Sequence, residues 1–210
     1  MTRIKFCGLT RPEDLDLAVE LGVDCIGLVF ASRSPRRLSL DRAAGLRARI
    51  PGDIAAVALM MDNPADEVGA VVEAVRPDIL QFHGAEPDAF CAGFGPPYWK
   101  AIAMGGDPQG ALARLGDFPG AAAFLFDGHA AGEPGGSGKC FDWTRLPAAL
   151  DRPFLLAGGL DAGNVASAIH TARPWGMDVS SGIESAPGEK DATKMRAFVE
   201  AVRRADAAGP

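Results

Sequence analysis

Eight short apolar runs recur along this chain, each followed by a segment that reads as a helix. The runs cover residues 3–7, 25–30, 53–60, 78–82, 99–104, 121–127, 153–157 and 175–180. Apolar stretches this short, bounded by Gly and polar turns, suit strands buried on both faces. The helices show themselves by their starts and stripes. Thr10 and Glu13 have the spacing of a capping box, with Pro12 in the first turn, and Leu15, Ala18, Val19 and Gly22 share one face. A second helix fits 39–50, Asn63 and Pro64 read as the N-cap and first residue of a third, and a short fourth fits 87–92. Further helices are expected over 108–115, from near Asp142, over 161–172 and over 192–204. Strict alternation demands right-handed parallel crossovers, and eight units close the sheet on itself. The expected fold is an α/β TIM barrel, (β/α)8, forming a single domain over residues 1–210.

A doubly wound open sheet shares the alternation but calls for a nucleotide fingerprint. No Gly-x-Gly-x-x-Gly follows the first strand, and the P-loop-like stretch ending near Lys139 has Glu133 where Gly is needed and Cys140 where Ser or Thr is needed. At 210 residues and 48% hydrophobic content, the chain can bury a sizeable core. A formal charge of -6 and a pI near 5.1 argue against nucleic-acid binding through a general basic surface. No apolar run reaches the ~18 residues of a spanning helix, so a soluble, cytoplasmic protein with no membrane partner is expected. Cys7, Cys25, Cys91 and Cys140 lie far apart with no metal-site spacing, so free thiols are expected rather than disulfides or structural zinc.

In such a barrel the strand ends gather at one face, where residues distant in sequence become neighbours. That face is expected to collect Cys7, Arg36, Gln81, His83, Asp127, Gly158, Gly159, Ser180, Ser181 and Gly182. The turns Ala-Gly-Gly-Leu at 157–160 and Ser-Ser-Gly at 180–182 follow the last two strands, where barrels bind phosphate. Their small side chains let backbone N–H groups approach an anion. Asp127 ends a buried strand at the rim, as a functional acid or an ordinary helix cap. The loop after it carries Gly132, Gly135, Gly136 and Gly138, and Lys139 is placed to close a cation over an anionic ligand. Cys7 is core filling or a tunable thiol, and Arg36 is a solvated charge or a fork for a ligand carboxylate. His83 reads as a structural residue or a base, His129 and His170 as loop and helix surface, and Met60 and Met61 as core.

Seven motifs then recur in order. They are Lys-Phe-Cys-Gly-Leu-Thr (5–10), Ser-Pro-Arg-Arg-Leu-Ser (34–39), Gln-Phe-His-Gly (81–84), Leu-Phe-Asp (125–127), Gly-Gly-Ser-Gly-Lys-Cys-Phe-Asp-Trp (135–143), Ala-Gly-Gly-Leu with Asn164, and Asp-Val-Ser-Ser-Gly-Ile-Glu (178–184). With them the chain resembles the phosphoribosylanthranilate isomerase family from end to end. The resemblance implies a TIM barrel that needs no cofactor and no metal and takes a small phosphorylated substrate of tryptophan biosynthesis, and the amphipathic helix shell fits a monomer and a homodimer alike. It implies Cys7 as the general base at ribose C2′ and Asp127 as the general acid at the ring oxygen. Arg36 would hold the anthranilate carboxylate, and Gly158, Gly159, Ser181 and Gly182 the phosphate. Gln81, His83, Asp178 and Ser180 complete the implied substrate-binding set. Ala157 stands where Ser is also common, which removes one hydroxyl from the phosphate side. The related barrel isomerase of histidine biosynthesis carries Asp where Cys7 stands and needs a second phosphate site near the third and fourth strands. Met-Met-Asp-Asn-Pro (60–64) and His-Gly-Ala (83–85) hold no glycine-rich loop there, so dual specificity is not expected.

Overall fold

The computed structural model describes residues 1–129, 140–147 and 150–209. Eight parallel strands pair in sequence order, and the last pairs with the first to close a barrel. They are β1 (Arg3–Cys7), β2 (Cys25–Val29), β3 (Ala55–Met60), β4 (Ile79–Phe82), β5 (Tyr98–Ala103), β6 (Ala123–Asp127), β7 (Phe154–Leu156) and β8 (Gly176–Val179). The outer helices are α1 (Pro12–Glu20), α2 (Leu40–Arg47), α3 (Ala65–Val75), α4 (Asp88–Cys91), α5 (Pro108–Ala113), α6 (Val165–Ala172) and α7 (Ala192–Ala208). The TIM-barrel expectation therefore holds. Among the described residues, no helix is long and apolar enough to cross a membrane.

Side chains alternate across each strand, and here the alternation sorts residues into two cores. Ile4, Phe6, Ile26, Leu80, Phe126 and Phe198 belong to the layer between sheet and helices. Cys25, Val57, Trp99, Leu125 and Leu155 fill the lumen as a separate cluster. Burying a side chain of this size contributes about 1.5–3 kcal/mol, so the two layers together drive closure. The same period of two puts Lys5 and Cys7 of β1 on the lumen side, together with Gln81, His83, Asp127, Asp178 and Ser180 at other strand ends. Closure sets Lys5 beside Asp178 in the β1–β8 register.

Several expected helix starts differ in the structure. No capping box forms at Thr10: its hydroxyl donates instead to the Gly188 carbonyl, and α1 begins behind Arg11 without a side-chain cap. Asn63 does not cap α3 either. Its Oδ1 accepts from Met61 N at 2.9 Å and its Nδ2 donates to Phe30 O and Glu67, so α3 starts behind Pro64. At Thr10 a tertiary partner takes the hydroxyl that a cap would have used, and at Asn63 the capping oxygen turns back to Met61 N while the amide nitrogen reaches across to Phe30 O. At the helix expected from Asp142 the described residues form a 3-10 turn, Trp143–Arg145. Leu146 leaves it in an extended conformation because Pro147 follows, and the residue before proline is pushed out of the helical region. An unexpected two-stranded hairpin, β9 (Glu184–Ala186) with β10 (Glu189–Lys190), precedes α7. The expected glycine loop with Gly132, Gly135, Gly136, Gly138 and Lys139 lies outside the described residues.

Candidate active site

The carboxyl ends of the strands surround a cavity of about 340 Å³. Cys7, His83, Asp127, Asp178 and Ser180 reach it from the ends of β1, β4, β6 and β8, and Arg36 reaches it from the loop after β2. Gly158, Ser181 and Gly182 line it from the turns after β7 and β8. Gly158 and Gly159 have φ of 84° and 63°, the left-handed region in which glycine is unstrained. Gly182 meets this turn so closely that a Cβ there would overlap the Leu160 carbonyl. Two of the expected residues stay out of the cavity. Gln81 is wholly buried beneath His83, and the Gly159 carbonyl accepts from Asn164 at 2.8 Å and from the Cys140 thiol at 3.2 Å.

One wall of the cavity is built around Cys7. Burial pushes its thiol up, while the Lys5 ammonium works in the opposite direction. Lys5 donates to Asp178 Oδ1 at 2.9 Å, and both partners are buried. Burial disfavours the Lys5 charge, yet the Asp178 carboxylate outweighs it and holds the ammonium above the usual lysine value. Ser180 Oγ donates to the Cys7 carbonyl at 3.0 Å, which ties β8 to the end of β1. Lys190 on β10 donates to the same carbonyl at 2.7 Å and to Glu184 at 2.8 Å.

Arg36 is not a free fork. Its Nε and one terminal nitrogen donate to the two oxygens of Glu184 at 2.7 and 2.6 Å, so the guanidinium is fixed from behind at the cavity wall. Glu184 and Lys190 both lie on the hairpin that the sequence pattern did not show. Lys5 had a visible signal: it stands two residues before Cys7 in a strand and therefore shares its face.

At the end of β6, His83 Nε2 lies 3.4 Å from Asp127 Oδ2 and His129 Nδ1 lies 3.1 Å from Oδ1. Gln81 Nε2 sits 3.2 Å from His83 Nδ1. The expectation that His129 lies on the loop surface is wrong: only 2% of it is exposed, and its ring lies over His83 with centroids 4.7 Å apart. The backbone turns immediately after β6, where His129 N donates to Asp127 Oδ1 at 3.2 Å, and this turn brings the ring inward. His170 is on the helix surface, as expected. Met60 is core, but Met61, the first residue after β3, faces the cavity. Burial would raise the Asp127 carboxyl, but the close His129 and His83 rings outweigh it and hold it well below the usual carboxylate range. Such a cluster is also where a metal ion would be sought. Each imidazole nitrogen faces its own oxygen, however, and the rings are stacked, an arrangement that suits one carboxylate shared by two imidazoles. All four cysteines are free thiols, and Cys140 alone is exposed.

A family model for N-(5'-phosphoribosyl)anthranilate (PRA) isomerase matches residues 4–201. The chain belongs to this family. The N-(5'-phosphoribosyl)anthranilate isomerase of Xanthomonas oryzae pv. oryzae is 55% identical over 98% of this chain and 95% of its own length. The phosphoribosyl anthranilate isomerase of Thermotoga maritima superposes with a TM-score of 0.84 at 32% identity, covering 97% of this chain and all of that one. A phosphoribosyl anthranilate isomerase solved with reduced 1-(o-carboxyphenylamino)-1-deoxyribulose 5-phosphate gives a TM-score of 0.81 at 29% identity, over 97% of this chain and 100% of its own. The chain is thus an isomerase of tryptophan biosynthesis built on a TIM barrel.

Proposed function

We propose that Cys7 and Asp127 carry the family's Amadori rearrangement in this barrel, converting N-(5'-phosphoribosyl)anthranilate to 1-(2-carboxyphenylamino)-1-deoxyribulose 5-phosphate. Asp127 gives a proton to the ribose ring oxygen as the C1′–O4′ bond breaks, and the anthranilate nitrogen supplies the electron pair for a C1′=N bond. Cys7, as thiolate, then removes the C2′ proton and an enolamine forms. Its hydroxyl loses a proton while C1′ gains one, which leaves the ketone. Two proton-transfer groups on different sides of one sugar are what this chemistry needs.

The observation that carries the reading is the placement of a thiol and a carboxylate across one cavity from each other, at the ends of β1 and β6. Arg36, held by Glu184, faces the substrate carboxylate with its remaining N–H groups. The turns after β7 and β8 hold the phosphate by backbone N–H groups, with Ser180 and Asp178 at the edge of the sugar. His83 stands behind the acid, and Gln81 supports His83 from below. Gly159 shapes the phosphate turn. The substrate is a small phosphorylated molecule, the working unit is a monomer or homodimer, and the setting is the cytoplasm.

The test is to incubate purified protein with freshly made phosphoribosylanthranilate and follow the loss of substrate fluorescence, with the histidine-pathway ribonucleotide in parallel. Turnover of the anthranilate compound alone is expected. Binding without turnover by folded protein would replace the enzyme with a sugar-phosphate binding barrel.

A further inference from the structure

A general acid must reach the transition state carrying a proton, yet Asp127 sits where its ionised form is favoured. The resolution lies in the two rings around it. Asp127, His83 and His129 are 5%, 8% and 2% exposed, so each meets bulk water only through the cavities they line. Among the described residues, neither His83 Nε2 nor His129 Nδ1 has a well-aligned hydrogen-bond partner, although each lies within 3.4 Å of an Asp127 oxygen. Buried, unpartnered nitrogens aimed at one carboxylate cost stability unless they have a use. Gln81 fits the same picture. Its Oε1 is also unpartnered, and half a turn of the amide would replace an N–H donor to His83 Nδ1 with an acceptor for a protonated Nδ1. The ring pair can therefore carry one more proton without stranding it.

We propose that His129, together with His83, is a positioning and proton-holding residue for Asp127, storing on its imidazole the proton that Asp127 passes to the substrate ring oxygen. This rests on Asp127 being the general acid. As the C1′–O4′ bond breaks, the bond electrons go to O4′. The His129 Nδ1 proton passes to the Asp127 carboxylate as the carboxyl proton passes to O4′, so the carboxylate is regenerated and the N–H electron pair stays on the imidazole. The Cys7 thiol gained a proton from C2′, so the enzyme returns to its starting state when that proton is passed back through solvent to the ring. Other charged groups facing this cluster come from every neighbouring element: Asp62 after β3, Glu86 after β4 paired with Lys100 of β5, Asp107 and Arg114 about α5, and Asp178 and Arg36 across the cavity. None of them is paired with Asp127.

The experiment compares unmodified protein with His129→Leu and His129→Asn, measuring kcat and KM for phosphoribosylanthranilate from pH 5 to 9, with thermal melts as a check on folding. His129→Leu removes the nitrogen, and kcat at neutral pH should fall ~10–100-fold with KM nearly unchanged, the lower range of acid–base contributions. The high-pH limb of kcat should also move to lower pH, because Asp127 must then be recharged from solvent. His129→Asn keeps an N–H near Asp127 but binds no second proton, so it should restore orientation yet keep the displaced limb. A wild-type pH profile in either variant, or full recovery in His129→Asn, overturns the proposal and leaves the assignment of Asp127 intact. If His129→Leu fails to fold, the His129→Asn profile decides alone. An unmodified protein without turnover would instead overturn the function itself.

Discussion

Gly27 of β2 is the place where a single methyl group tests the position of the base. It faces Cys7 directly in the β1–β2 register. A Cβ added at Gly27 would lie 2.7 Å from Cys7 Sγ, 3.0 Å from its Cα and 3.2 Å from its Cβ. Favourable contact between non-bonded heavy atoms begins at about 3.5 Å, so the sulfur must move by roughly 0.8 Å. The backbone cannot take up the difference easily, because β1 is paired on both sides and Gly8 N donates to Gly27 O at 2.9 Å. Overpacking of this kind costs about 1–3 kcal/mol. For a chain of this length that lowers Tm by ~2–12 °C and leaves a folded protein to assay. A misplacement of about 1 Å at a reacting group costs on the order of 100-fold in rate, so Gly27→Ala should lower kcat by about that factor. KM should change little, because the turns after β7 and β8 are untouched. Substrate fluorescence at saturating concentration reads kcat, and a thermal melt reads stability. A folded Gly27→Ala protein with undiminished kcat would mean that Cys7 Sγ does not take the C2′ proton from its position here.

Asp127→Asn should leave phosphate binding and folding nearly intact while kcat falls by at least ~100-fold, the low end for a lost general acid; an active variant would exclude Asp127 from that role. Lys5→Met leaves Asp178 buried without its partner, and urea unfolding should show a loss of about 3–5 kcal/mol. A loss under about 1 kcal/mol would mean that water or another cation reaches Asp178. For Glu184, burial raises the carboxyl but Arg36 and Lys190 outweigh it, so the folded value lies below the usual one. Its contribution to stability is therefore complete above the ordinary glutamate value of ~4.3 and is lost as pH falls through the lower folded value. Glu184→Gln should be most destabilising at neutral pH and should flatten acid unfolding below about pH 4; identical acid slopes for the two proteins would refute this.

The strands were legible because burial on both faces leaves little freedom in what a strand may contain. Helix starts were less so. Thr10, Asn63 and Asp142 all have the chemistry of a cap, but a hydroxyl or amide at the end of a strand is also within reach of other loops. Asp142 does cap, though only a 3-10 turn, because Pro147 stops the helix that would follow. Sequence spacing tells which groups seek a partner. It does not tell which partner is nearer in the folded chain.

The same distinction divides the site. Cys7, His83, Asp127, Asp178 and Ser180 stand on strand ends, and once the barrel is assumed, the period of two aims each of them into the lumen. Lys5 obeys the same rule one pleat lower. A lysine in that position needs an anion, since an unpaired buried charge costs several kcal/mol, and only closure of β8 onto β1 supplies Asp178. Groups beyond the strands follow no period. Arg36, His129, Glu184 and Lys190 owe their places to a loop, a turn and a hairpin, and each is fixed by a charged partner rather than by pattern. The chemistry at the rim thus depends on two layers of cause. Strand alternation presents Cys7 and Asp127 and sets the Lys5–Asp178 pair beside the thiol, while the turn after β6 and the hairpin add His129 and Lys190.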